Sequence, residues 1–319
     1  TAAVLLWPGF FTAENDVSPV LWLALVVGVD VAHVYSTLYR TYFDKEEAAR
    51  YRTLLIFIPL GCWMAGILLY SVGKFAFWRT LAYLAVFHFV RQQYGFLRLY
   101  GRKEEASRAG RWVDGAAVYL ATLYPLVYWH THPRSFHWFL PGDFVVLAAG
   151  WLESAVLAVY AVALAAYAGK AAMDWRRMGA VNWPKHLVLA GTALSWYVGI
   201  VLFDGDLTFT ATNVVAHGVP YMALIWMYER KKSGAAIYRP SMTPVFVGLL
   251  LAVAYVEEAF WDVLVWRDHT QFFAWLAVLP QLEEKAALSI VVPLLAVPQA
   301  THYVLDGFIW RIRKGAVGL

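Results

Sequence analysis

The chain has 319 residues, 61% of them hydrophobic and 15% charged, and its charges gather in short clusters between apolar runs of roughly 18–25 residues, about the length a bilayer demands. That pattern speaks against a water-soluble fold, and the net charge of +4 is no nucleic-acid signal, because Lys and Arg lie in short loops beside the runs. Cys62 is the only cysteine, which excludes a disulfide framework and a cysteine-built zinc or iron–sulfur site within one chain.

Taken in chain order, the apolar runs predict nine spans, near 18–39, 53–73, 80–98, 113–131, 151–173, 186–203, 211–228, 242–262 and 286–310. The segments 132–150 and 263–285 are amphipathic and aromatic, as expected of stretches lying along a membrane surface. Trp7, Trp78, Trp112, Trp151, Trp183, Trp261 and Trp310 stand near the ends of the runs, where indole rings prefer the interface. No low-complexity segment, flexible linker or internal repeat interrupts the pattern, so one integral membrane domain over 1–319 is the simplest organisation. The start at Thr1 rather than Met leaves a preceding segment, a leader included, open.

Basic residues set the expected orientation. The loops after spans one, three, five and seven, with the C-terminal tail, hold 20 of them, among them Arg40, Arg98, Arg108, Arg176, Lys232 and Arg311, Arg313 and Lys314. The opposite side holds only Lys74, Arg79, Arg134, Arg267 and Lys285. The positive-inside bias then puts the N-terminus outside and the C-terminus in the cytoplasm, in an all-α polytopic protein, with a bacterial cytoplasmic membrane as the expected location.

Ionisable groups inside spans are costly in hydrocarbon and mark function. Span one carries Asp30 and His33, span three His88, Arg91, Gln92 and Gln93, span seven Asn213 and His217, and span nine Gln299, His302 and Asp306. Counted back from the expected cytoplasmic ends at Tyr39, Arg98, Tyr228 and Trp310, the four histidines lie within a band about 8 Å thick, at about 1.5 Å per residue. One membrane histidine is as readily an interhelical hydrogen-bonding residue as a ligand. Four at one depth favour a shared metal site, with His33, His88, His217 and His302 as ligands. Asp30 precedes His33 by three residues and Asp306 follows His302 by four, spacings that share a helix face, so either carboxylate can orient an imidazole or bind the ion itself. Gln92, Gln93 and Tyr221 are further candidates for these roles. Imidazole ligands suit iron, zinc or copper, and histidine pairs can also hold haem. Pro220, Pro293 and Pro298, close to His217 and His302, either shape a pocket or reflect the ordinary tolerance of membrane helices for proline. A weaker candidate site is the outer HTHPRSFH segment, with His130, His132 and His137 near Asp143 and His269; solvated interfacial histidines are its bland alternative.

The chain contains no phosphate-binding loop, Gly-x-Ser-x-Gly elbow or His-Glu-x-x-His helix. Short segments instead resemble the bacterial β-carotene 15,15′-dioxygenase (Brp/Blh) family. AVPQATHYVLDGFIWR looks like that family's last span, with His302, Leu305, Phe308, Ile309 and Arg311 at matching spacing, and His33 and the His88–Phe89 pair look like further family positions. The resemblance covers about four short segments and implies a membrane-embedded iron site. The chain departs from the family pattern at Tyr221, where a second histidine one turn after His217 is the family habit, and at Ala32-His33-Val34, where the family has Pro-His-Gly. The metal site is therefore implied more directly than the carotenoid substrate. The expected function is an iron- and O₂-dependent oxygenase acting on a lipophilic small molecule from the bilayer. The alternatives are a non-enzymatic subunit holding haem, pigment or quinone, and a transporter with Asp30, Arg91 and Asp306 as relay groups.

Overall fold

The structure, a computed structural model, describes residues 1–11, 17–104 and 107–310. Arg311, Arg313 and Lys314, counted in the charge asymmetry, lie outside the described residues. Among the described residues every regular element is helical. The long helices are α1 (Pro19–Arg40), α2 (Arg52–Val72), α3 (Lys74–Tyr100), α4 (Arg108–Thr131), α5 (Gly150–Met178), α6 (Trp183–Leu202), α7 (206–233), α8 (Pro240–Trp266), α9 (Lys285–Leu295) and α10 (Val297–Ile309).

Every expected apolar segment falls on a helix, but their capacity to span differs. Five helices, α1, α2, α5, α6 and α8, are long and apolar enough to cross a membrane. The α9–α10 pair makes a sixth if it counts as one span despite a bend of 41°. In α3, α4 and α7 the polar residues that mark them, His88 to Gln93 in α3 for example, lower the mean hydropathy. The bend follows from proline chemistry: Pro298 has no N–H to give and sits in the first turn of α10, where none is needed, so the helix restarts after Ala296.

The chain divides into two compact units, one of residues 1–16 and 85–213, the other of residues 17–84 and 214–319. In the first, α4, α5, α6 and the end of α3 enclose Leu97, Ala117, Val118, Ala121, Tyr167 and Leu189. A buried charge cluster joins the same helices. Lys185 Nζ donates to Glu104 Oε2 at 2.6 Å and lies 3.6 Å from Asp114, and Lys170 Nζ lies 3.1 Å from Asp114 and 2.9 Å from Asp174. Residues 132–149 form no long surface helix. Asp143 Oδ2 accepts the N–H groups of Trp138 and Phe139 at 2.8 and 2.9 Å and folds the segment over Trp129, so that Phe136 and Phe144 are buried.

In the second unit, α1, α7 and α8 share a core of Val27, Ala32, Tyr39, Tyr221, Ile225, Phe246, Leu250 and Ala254. Helix α2 closes on α9 at Gly66, where an added Cβ would stand 2.7 Å from Pro293 Cβ. Residues 263–285 are likewise not one surface helix but short turns (Thr270–Phe273, Ala274–Leu276). After α1, Asp44 caps the helix Lys45–Arg50 by accepting from the N–H groups of Glu46 and Glu47 and receives a hydrogen bond from Lys232 of α7.

Candidate metal centre

Two local irregularities lead into the histidines. Leu23–Val31 of α1 and Thr210–Val214 of α7 are π-helical, each ending within three residues of a histidine, His33 and His217. A π segment inserts backbone and rotates the next turn relative to a uniform α-helix, a device often found at functional sites. Gly218 lets these helices meet: a Cβ there would stand 2.8 Å from Val29 Cγ1, 3.0 Å from Val29 O and 3.4 Å from His33 Cβ. With no side chain in the way, α7 lies against α1 one residue beyond His217.

The result is three imidazoles in one place within the second unit. His33, His217 and His302 are at most 1% exposed, and each offers a ligand nitrogen within 4.8 Å of the others. The Nε2 atoms of His33 and His217 face each other at 3.1 Å. Their rings stand edge to face, centroids 4.7 Å apart, and His302 meets His33 in the same manner at 5.0 Å. Two imidazole nitrogens so placed must share either a proton or a cation. Nitrogens bound to one ion at about 2.0–2.1 Å would stand about 2.9 Å apart at a right angle and about 3.4 Å apart in a tetrahedron. The observed spacing lies between these limits, so the histidines can hold a metal ion. Opposed axial ligands of a haem iron would be about 4 Å apart, which His33 and His217 do not match.

The remaining nitrogen of His302 is engaged from behind. His302 Nδ1 is 2.7 Å from Thr37 Oγ1, Thr37 Oγ1 is 3.0 Å from Tyr221 Oη, and Tyr221 donates to Asp306 Oδ1 at 2.5 Å. Asp306 Oδ1 is itself 3.9 Å from His302 Nδ1. Asp30 Oδ1 lies 3.7 Å from His33 Nδ1, beyond hydrogen-bond length. Tyr221 thus stands behind an imidazole with its hydroxyl committed to Asp306.

His88 belongs to the part of α3 assigned to the first unit and is buried. Gln93 accepts from Thr192 at 2.9 Å, Gln92 is half-buried, and Arg91 turns to Tyr119, to which it donates a hydrogen bond. Among the described residues His130, His132 and His137 form no group of three candidate ligands. His130 Nδ1 bonds the Leu126 carbonyl at 2.6 Å, His132 stacks on Tyr128 and lies 3.8 Å from Glu153, and His137 is exposed. Asp143 is spent on its loop amides, and His269 stacks on Trp22. Sequence reasoning missed Thr37 and Gly218. Thr37 was visible as a polar residue one turn after His33 on the same face; Gly218 carried no signal beyond its place next to His217.

Comparison with protein-family models, with curated proteins and with solved structures returns no match for this chain.

Proposed function

We propose that this protein is a membrane-embedded, histidine-ligated metal oxygenase, with iron as its metal, acting on a lipophilic molecule that arrives from the bilayer. The observation that carries the reading is the facing pair of buried Nε2 atoms at 3.1 Å with a third imidazole beside it. His33, His217 and His302 are the ligands within one unit. His88, at similar depth by sequence on the third span, is the proposed fourth. Iron, when bound, supplies redox chemistry toward O₂ that no side chain can provide; zinc and copper are the alternative ions the same donors accept.

The chain's own residues do the rest. Ala32, Tyr221 and Leu305 are buried around the imidazoles and exclude water. The Thr37–Tyr221–Asp306 group holds the His302 ring in place, and Asp30 stands 3.7 Å behind His33. The segment resemblance to bacterial carotenoid dioxygenases supports O₂ as co-substrate and a carotenoid-like polyene as the first substrate to try. The polar content of α3, α4 and α7 suits helices that face a bundle interior, and with them the protein would cross the membrane nine times, N-terminus outside, in a bacterial cytoplasmic membrane.

O₂ uptake by iron-loaded protein in liposomes containing β-carotene or another long polyene tests this reading. Uptake that requires both polyene and iron, and that disappears in His33→Ala, supports it. Iron-loaded protein that consumes no O₂ with any polyene overturns the oxygenase assignment and favours a non-enzymatic subunit.

A further inference from the structure

The hydrogen-bonded row His302–Thr37–Tyr221–Asp306 has a direction, and the direction fixes a proton. With Asp306 ionised, its carboxylate can only accept, and Tyr221 donates its one hydroxyl proton to it at 2.5 Å. Its oxygen can therefore only accept from Thr37, 3.0 Å away. Thr37 also has one proton, now committed to Tyr221, so at 2.7 Å its oxygen can only accept from His302 Nδ1. Nδ1 must carry the hydrogen, which leaves the lone pair on Nε2.

We infer that Thr37 and Tyr221 are positioning residues that lock His302 in the Nδ1–H tautomer, presenting Nε2 as an unprotonated donor to the histidine cluster. This deepens the metal-centre reading and rests on it for its purpose, though the tautomer itself does not depend on bound metal. A metal-binding imidazole commonly donates its second N–H to a carboxylate, carbonyl or water. Here the carboxylate acts at two removes, through two hydroxyls on two helices. If the tyrosine hydroxyl is removed, Thr37 is released to donate its proton to Nδ1, and the ring is driven toward the Nε2–H form, which cannot bind a cation.

The test is ¹⁵N NMR of histidine-labelled, metal-free protein in detergent or nanodiscs, with the His302 signals assigned by their loss in His302→Asn. Wild type should show the Nδ1–H tautomer at His302. Tyr221→Phe and Thr37→Val should shift it toward Nε2–H or a mixture, and Thr37→Ser, which keeps the hydroxyl, should restore the wild-type pattern. In parallel, metal affinity should fall about 10- to 100-fold in Tyr221→Phe and be retained in Thr37→Ser. An Nε2–H tautomer in wild type overturns the inference even if the larger substitutions fail to fold, and so does a tautomer unchanged in folded Tyr221→Phe. A wild type with the expected tautomer that binds no metal would instead refute the metal-centre reading and leave the proton row standing.

Discussion

Gly218→Ala tests whether the close approach of α1 and α7 holds the histidine pair in register. The new methyl would be 2.8 Å from Val29 Cγ1, against a comfortable carbon–carbon separation of about 3.5–4.0 Å. Val29 is β-branched and stiff, and its carbonyl oxygen, 3.0 Å away, is backbone, so side-chain rotation alone does not clear the clash. The helices must separate by roughly 0.5–1 Å, at the cost of about 1–3 kcal/mol typical of overpacking. The same displacement would stretch the 3.1 Å Nε2···Nε2 distance to about 3.6–4.1 Å, past the roughly 3.4 Å spanned by two tetrahedral ligands of one ion. Chelator-competition titration should then show metal affinity lowered by at least about tenfold, within the range known for groups that orient ligands. Gly248→Ala, where a Cβ meets nothing within 4 Å, should bind metal like wild type. A folded Gly218→Ala protein with wild-type affinity would refute the reasoning.

Other perturbations separate the site from the scaffold. Replacing His130, His132 and His137 together by Ala should leave metal content unchanged, since these rings do not converge; loss of metal in that variant would restore the outer site. Lys185→Met takes from Glu104 its lysine in a buried cluster, while Asp114 keeps Lys170, and should cost about 3–5 kcal/mol in thermal or denaturant unfolding; the variant that does fold keeps its metal. Asp44 should give the protein an acid-sensitive element. Burial raises its carboxyl pKa, but the Lys232 ammonium and the amides of Glu46 and Glu47 outweigh it and hold the value below the ordinary one. Its stabilisation is therefore complete above about pH 4 and is lost as pH falls through the lowered value, where the folded carboxyl takes up its proton. Unfolding measured between pH 3 and 7 should show this loss in wild type, with a flatter profile in Asp44→Asn; identical profiles would count against it.

The helices were legible because span length and apolar runs report directly on bilayer-spanning segments, and every expected segment coincides with a helix. What could not be read was rotation and spacing along them. Asp30 and Asp306 were recognisable from their three- and four-residue offsets, and both lie within 4 Å of their histidines. Thr37 was overlooked because a threonine in a span usually bonds its own helix carbonyl, as Thr41 does to Thr37. The convergence of His33 with His217 depends on π segments and on a missing Cβ at Gly218, neither of which leaves a periodic trace. The amphipathic segments 132–150 and 263–285 form compact loops around Asp143 and Asp262, whose carboxylates accept backbone N–H groups, a local geometry that composition does not encode.

The most direct test of the central claim is metal content by inductively coupled plasma mass spectrometry on protein purified without chelator, beside His33→Ala and His302→Ala. About one equivalent of a transition metal, iron foremost, is expected in the wild type, with its loss in both variants without loss of helicity. Wild-type protein free of metal, or variants that retain it in full, would contradict the account.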